Sequence, residues 1–227
     1  MSVPPFGTPR LIPPGPNDPR INARVGILHV DAGNAETLYY LFLNNQRGSG
    51  IESHCHVKRN GVCEVYRNAD YEADANNLAN PFAYSVETQG YGEGEWTAEQ
   101  LSTIKRIMLW ARDELGIPLR VVQSWNDSRG GWGYHTIWGS PSAWTPVAKS
   151  CPGPDRIRQF WNVLVPWMKE QEIDVLSPED KKLLEDTLAE IRAARGDFKE
   201  WKEKELKRDR KQDELIKEKF GIESPPR

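Results

Sequence analysis

The sequence predicts an α/β (α+β) domain built on one central sheet, with a charged helical tail appended at its C-terminus. Two observations carry this. Short apolar runs bounded by Gly, Pro and Asn alternate with amphipathic segments, the order expected of strands and helices that share a sheet. From about residue 174 the composition shifts, and about half of the remaining residues are charged, with acids and bases nearly balanced. The expected organisation is a Pro/Gly-rich lead-in over 1–21, a folded domain over 22–173 and a helical tail or linker over 174–227.

"RVGILHVDAG" (24–33) is a compact apolar run ending in polar residues and glycine, which reads as a buried strand opening into a loop. "AETLYYLFLNN" (35–45) reads as a helix with Leu38, Leu41 and Phe42 on one face. "IESHCHVKRNGVCEVYRN" (51–68) alternates and turns at Asn60-Gly61, a hairpin pattern. A two-residue turn there sets Cys63 opposite Lys58 and directs Cys55 to the other side of the sheet, which argues against a bridge between them. "AYSVETQG" (83–90) is a further short strand.

"WTAEQLSTIKRIMLWARDELGIP" (96–118) is the clearest helix. Thr97 and Gln100 have capping-box spacing, Leu101, Ile104, Met108, Ala111 and Leu115 form the apolar stripe, and Gly116 with Pro118 ends it. "PDRIRQFWNVLVPWMKE" (154–170) reads as a closing helix packed through Ile157, Trp161 and Leu164, with Pro166 bending or ending it. In the tail, Ser177 is an N-cap and Pro178 the first helical residue. Leu184, Leu188 and Ile191 make a narrow seam, Gly196 interrupts it, and the heptad breaks at Arg195 and Lys202.

Bulk properties exclude several functions. A net charge of −3 gives no whole-chain field for nucleic acid. No stretch approaches the roughly 20 apolar residues of a bilayer span, so no membrane insertion is expected. The first residues, "MSVPPFGTPRLIPPGPNDPR", have neither the charged start nor the apolar run of a secretory signal. Three cysteines are too few for a disulfide framework.

Chemistry concentrates in few residues. There are four histidines, His29, His54, His56 and His135. His29 ends the first buried strand. His135 lies in the Gly- and Trp-rich "RGGWGYHTIWG". Cys151 sits in "KSCPGPD", on a turn that Pro and Gly make rigid. Two imidazoles and one thiolate are a ligand set that zinc prefers, and three protein ligands leave a fourth position open for water. Scattered structural histidines and a free thiol remain the alternative on residue types alone.

The ordered set "GILHVDAG", "SHCHVKRNG", "YSVETQG", "WTAEQ", "GYHTIW" and "KSCPGPD" resembles the type-2 N-acetylmuramoyl-L-alanine amidases, a family that includes phage endolysins and peptidoglycan recognition proteins. The resemblance covers about residues 22–168 and implies a mixed sheet flanked by helices. It implies one Zn2+ ion on His29, His135 and Cys151, with Glu87 and Lys149 as catalytic residues. Glu87 would move the proton and Lys149 would face the oxyanion. His54, Asn76 and Trp132 are the candidate substrate-binding residues. Asn76 stands where many relatives place a histidine, and Ser53 stands where phage members often have a tyrosine. Trp138 and Trp144 are candidates for a lid or groove wall. The implied activity is hydrolysis of bacterial peptidoglycan at the amide between N-acetylmuramic acid and L-alanine, by an endolysin made in the host cytoplasm and acting on the wall after release. The alternative is a peptidoglycan-binding protein of the same fold that does not cut, although such relatives typically lose the cysteine. The tail is expected to be a solvated helical linker or appendage, with wall binding or weak self-association as the alternatives.

Overall fold

A computed structural model describes residues 2–14, 18–45, 52–174 and 178–220. The chain divides into two compact units, Met1–Glu172 and Ile173–Arg227. The first contains strands β1 (Thr8–Pro9), β2 (Val25–Leu28), β3 (Cys55–Val57), β4 (Cys63–Val65), β5 (Ala83–Thr88) and β6 (Gly131–Tyr134). They form one sheet in the order β1-β4-β3-β5-β2-β6. Only β3 and β4 pair antiparallel, so the sheet is mixed and the class is α/β.

Alternation along the strands sends side chains to two cores. Leu28, Val86, Cys55, Val57 and Trp132 face helix α2 (Ala98–Leu115), which contributes Ile104, Ile107, Met108 and Ala111. Val25, Ile27 and Ala83 face the other way, onto Ala79, Val122 and Trp144. Helix α2 starts on the expected box, in which the Thr97 side chain accepts from Gln100 N–H and the Gln100 side chain accepts from Thr97 N–H. It ends on Gly116 at φ 71°, a left-handed cap that glycine adopts without strain.

Several expectations change. Helix α1 covers only Tyr39–Asn45, and while Leu38 and Phe42 are buried, Leu41 is 54% exposed. The β3–β4 hairpin closes through three residues, with Lys58 N–H bonded to Val62 O and Gly61 at φ 83°. A three-residue loop with glycine in the left-handed position shifts the register by one relative to a two-residue turn. Cys63 therefore faces Val57 and Cys55 faces Val65. Both cysteines lie on the same core face, buried and free.

The closing helix is built in three parts: α3 (Pro154–Gln159), a π turn (Phe160–Leu164) and α4 (Val165–Asp174). Pro166 does not end it. The wide turn ahead of the proline accommodates the amide that proline lacks. Leu164 is buried as expected, but Trp161 is 44% exposed.

In the second unit, α5 runs unbroken from Pro178 to Phe220 through Gly196. No atom would crowd a side chain at that glycine. The expected N-cap, Ser177, lies outside the described residues. Among the described residues no helix is long and apolar enough to cross a membrane.

Gly26 pairs with Trp132 across β2 and β6, and a Cβ at Gly26 would run into the Trp132 ring. Gly26→Ala is expected to destabilise the fold by about 2–3 kcal/mol through overpacking, read as a lowered midpoint in denaturant titration followed by circular dichroism.

Candidate metal centre

Strands β2, β5 and β6 run parallel, with Leu28 level with both Val86 and Tyr134. The next residue of each strand path is His29, Glu87 and His135. The ladder continues past β2, with His29 N–H bonded to Val86 O and His135 N–H bonded to Leu28 O. Three chemically active side chains thus emerge together at the carboxyl ends of neighbouring strands, the usual place for a site in an open parallel sheet.

Cys151 arrives from the loop after β6. Its turn is fastened by Thr136 Oγ1 donating to Cys151 O at 2.8 Å, and Val30 N–H donates to its sulfur at 3.2 Å. The ligand atoms of His29, His135 and Cys151 lie within 4.8 Å of one another, with Sγ 3.8 Å from His29 Nδ1. Ligands bound tetrahedrally at about 2.0–2.3 Å sit roughly 3.3–3.8 Å apart, so the three fit one divalent ion with little adjustment. The outer contacts agree. His29 Nε2 is held by Asn76 Oδ1 at 2.7 Å, which leaves Nδ1 facing the sulfur. His135 Nε2 is buried without a partner among the described residues. Orienting the ring through its second nitrogen is how proteins present histidine to a metal.

Burial sets the protonation states. It pulls His29 well below its usual range, helped by His135 and Lys149, and takes His135 down to about 4, helped by Lys149. Both imidazoles are therefore neutral at pH 7, the form that binds a metal. Burial, with the nearby Glu87, pushes the Cys151 thiol up to about 12, so the thiolate needs a cation to form. Burial and the charge of Asp31 raise Glu87 to about 8. The Ser53 hydroxyl donates to Glu87 Oε1 at 3.3 Å, while Oε2 has no partner among the described residues.

His29, Glu87, His135, Lys149 and Cys151 line one open cleft of about 430 Å³, whose apolar side is Leu38, Leu41 and Phe42. Lys149 is exposed at its rim. The three candidate substrate-binding residues lie elsewhere. His54 is fully buried, accepting from Ser85 N–H at Nδ1, close to Tyr71 O at Nε2 and stacked on Tyr84. Asn76 is buried behind His29. Trp132 is a core residue lying on Gly26. Trp144 is also buried, and Trp138 lines a separate groove of about 550 Å³ with Trp161, so neither forms a lid on this cleft.

Sequence reasoning missed Asp31 and left open whether His54 or His56 borders the cleft. Asp31 lines the cleft, accepts from Gly33 and Gly90 N–H, and meets buried His56 Nε2 at 3.1 Å. The pair fastens the end of β2 to β3 and β5. The "HVDAG" run was the available clue, but only the register shows what Asp31 holds.

No protein-family model and no curated protein matches the sequence. Solved structures do. The endolysin N-acetylmuramoyl-L-alanine amidase LysCS from Clostridium intestinale is 17% identical, over 73% of this chain and 99% of that one, with a TM-score of 0.51. Drosophila peptidoglycan recognition protein SD is 14% identical, over 69% and 95%, with a TM-score of 0.51. Human PGRP-IβC, solved with a glycosamyl muramyl pentapeptide, is 13% identical, over 70% and 96%, with a TM-score of 0.52. The chain has the fold shared by type-2 amidases and peptidoglycan recognition proteins.

Burial pushes His54 down to about 4, against a backbone hydrogen bond to Tyr71 that raises it. An unfolded imidazole titrates near about 6.5. Its neutral form therefore contributes fully above that pH, and the contribution is lost as pH falls from about 6.5 through 4, by about 3 kcal/mol. His54→Gln is expected to lower Tm at pH 7.5 yet to lose less further Tm on going to pH 4.5 than the parent does, measured by calorimetry at both values.

Proposed function

We propose that this chain is a zinc-dependent N-acetylmuramoyl-L-alanine amidase. It would hydrolyse the amide between the lactyl group of N-acetylmuramic acid and the L-alanine of the peptide stem. The observation that carries this reading is the convergence of His29, His135 and Cys151 in a cleft shared with the buried carboxyl of Glu87. The donor set is that of a catalytic rather than a structural zinc site, because it has three protein ligands and opens to solvent.

When bound, zinc polarises the scissile carbonyl and lowers the pKa of a water toward about 7. The residues of the chain do the rest. His29 and His135 supply neutral nitrogens, and Asn76 keeps the His29 ring from rotating. Val30 N–H steadies the sulfur of Cys151. Burial and Asp31 raise Glu87 to about 8 without metal, and a bound cation would bring it down toward a balance between carboxyl and carboxylate near neutral pH. A group that takes a proton from water and returns it to the leaving amine needs that balance. Ser53 orients one carboxyl oxygen and leaves the other free for the proton. Lys149, exposed at the rim, places an ammonium where the carbonyl oxygen becomes an oxyanion.

The fold shared with LysCS, named an endolysin, supports a cell-wall substrate and a lytic role. Release of the protein to the wall after synthesis in a host cell belongs to the same proposal. A protein that binds peptidoglycan without cutting it is the competing outcome of the experiment.

On purified cell walls the chain is expected to release soluble muropeptide, with chelator abolishing and added zinc restoring the activity. Cys151→Ala should lose bound metal and at least about 100-fold in rate. Glu87→Gln should keep the metal and lose about 10²–10⁴-fold in kcat. Lysis by Cys151→Ala at the parental rate would sink the metal mechanism, and wall binding without release would leave the recognition protein.

A further inference from the structure

Arg156 is fully buried, a rare place for a guanidinium. Its Nη1 donates to Tyr91 O at 2.5 Å and to Pro152 O at 3.3 Å. Nε and Nη2 have no partner among the described residues. The side chain therefore spends its hydrogen bonds on two backbone carbonyls rather than on a carboxylate.

Those carbonyls belong to the Cys151 turn and to the segment that follows β5. Pro152 follows Cys151 directly. Tyr91 stands just beyond β5, the strand that carries Glu87. The segments press together closely enough to exclude side chains at two glycines. A Cβ on Gly90 would meet Arg156 Nη2, and one on Gly153 would meet the Gly92 carbonyl. Both glycines have positive φ, 143° and 97°. A single guanidinium thus bolts the Cys151 turn to the end of β5.

The charge of Arg156 is uncompensated by any salt bridge among the described residues. The anionic groups that act on it are Asp31, Asp155 and the sulfur of Cys151, opposing the effect of burial and of Arg59. A metal-bound thiolate would add negative charge to this dry region, where the charge of Arg156 acts on it with less screening than in water.

We infer that Arg156 is a positioning residue for the metal-binding thiolate, which it holds in register with β5 while supplying buried positive charge. This rests on the metal-centre reading above. Arg156 touches no substrate and acts only through Cys151.

Cobalt(II) is the probe, because a thiolate on cobalt gives a charge-transfer band in the near ultraviolet. In the full chain, Arg156→Met is expected to weaken cobalt affinity about 10–100-fold, the usual effect of losing an outer contact to a metal ligand. Its thiolate–cobalt band should be reduced or shifted. The rise in Tm on adding metal should shrink, because a ligand stabilises in proportion to its affinity. Arg156→Lys keeps the charge without the fork and should fall between parent and Arg156→Met; it decides the matter if Arg156→Met does not fold. A purely structural arginine predicts something else: equal Tm losses with and without metal, affinity within about twofold of the parent and an unchanged band. That result would overturn the inference while leaving the metal centre intact. Absence of a thiolate–cobalt band in the parent chain would overturn both.

Discussion

Register between three parallel strands decides where this chain can do chemistry. Because Leu28, Val86 and Tyr134 are level, the residues after them share one end of the sheet. A slip of one residue in β5 would send Glu87 into the α2 core and a valine toward the cleft. The sheet therefore sets the positions of two imidazoles and a carboxyl by backbone hydrogen bonds, and Asn76 and Ser53 orient two of the side chains. Only the sulfur must be delivered by a loop, and the contacts of Thr136, Val30 and Arg156 gather at that loop.

Dryness is the second condition. Water is excluded from His29 and nearly so from His135, which keeps both rings neutral and ready to donate a lone pair. The same exclusion holds Glu87 in a form that ordinary carboxyls leave behind by pH 5 and stores Cys151 as a thiol. A divalent ion would reverse the last of these and release a proton. Asp31 and His56 form a buried acid–imidazole pair at the floor of this region, and their three contacts keep the strand end from fraying.

Much of this was legible in the sequence, but unequally. Helix α2 could be read in full because its box, stripe and glycine cap are local signals. The run at 24–33 gave the first central strand for the same reason. His29, His135 and Cys151 lie too far apart in sequence for spacing to group them, and the family resemblance did that work. The residues that went astray depend on register or on which face is covered. Trp132, among glycines, could be read as a substrate platform or as a packed core residue, and Gly26 is what lets its ring lie in the core. His54 and His56 read alike, yet one is buried against Tyr84 and the other against Asp31. Asn76 was placed against the substrate and instead holds His29 from behind. The hairpin loop, longer by one residue than Asn-Gly suggested, moved both cysteines to one face.

The proline-rich lead-in is stitched into the domain rather than trailing from it. Strand β1 lies along β4, Arg10 and Ile12 N–H bond to Val65 and Tyr66 O, and Ile12 is buried against Leu38, Phe42 and Tyr66. Excision at residue 22, where composition alone would draw the border, would strip this flank bare. The backbone of β4 would become an open template for intermolecular pairing, and the helix that walls the cleft would lose its backing. The working unit begins at the first prolines.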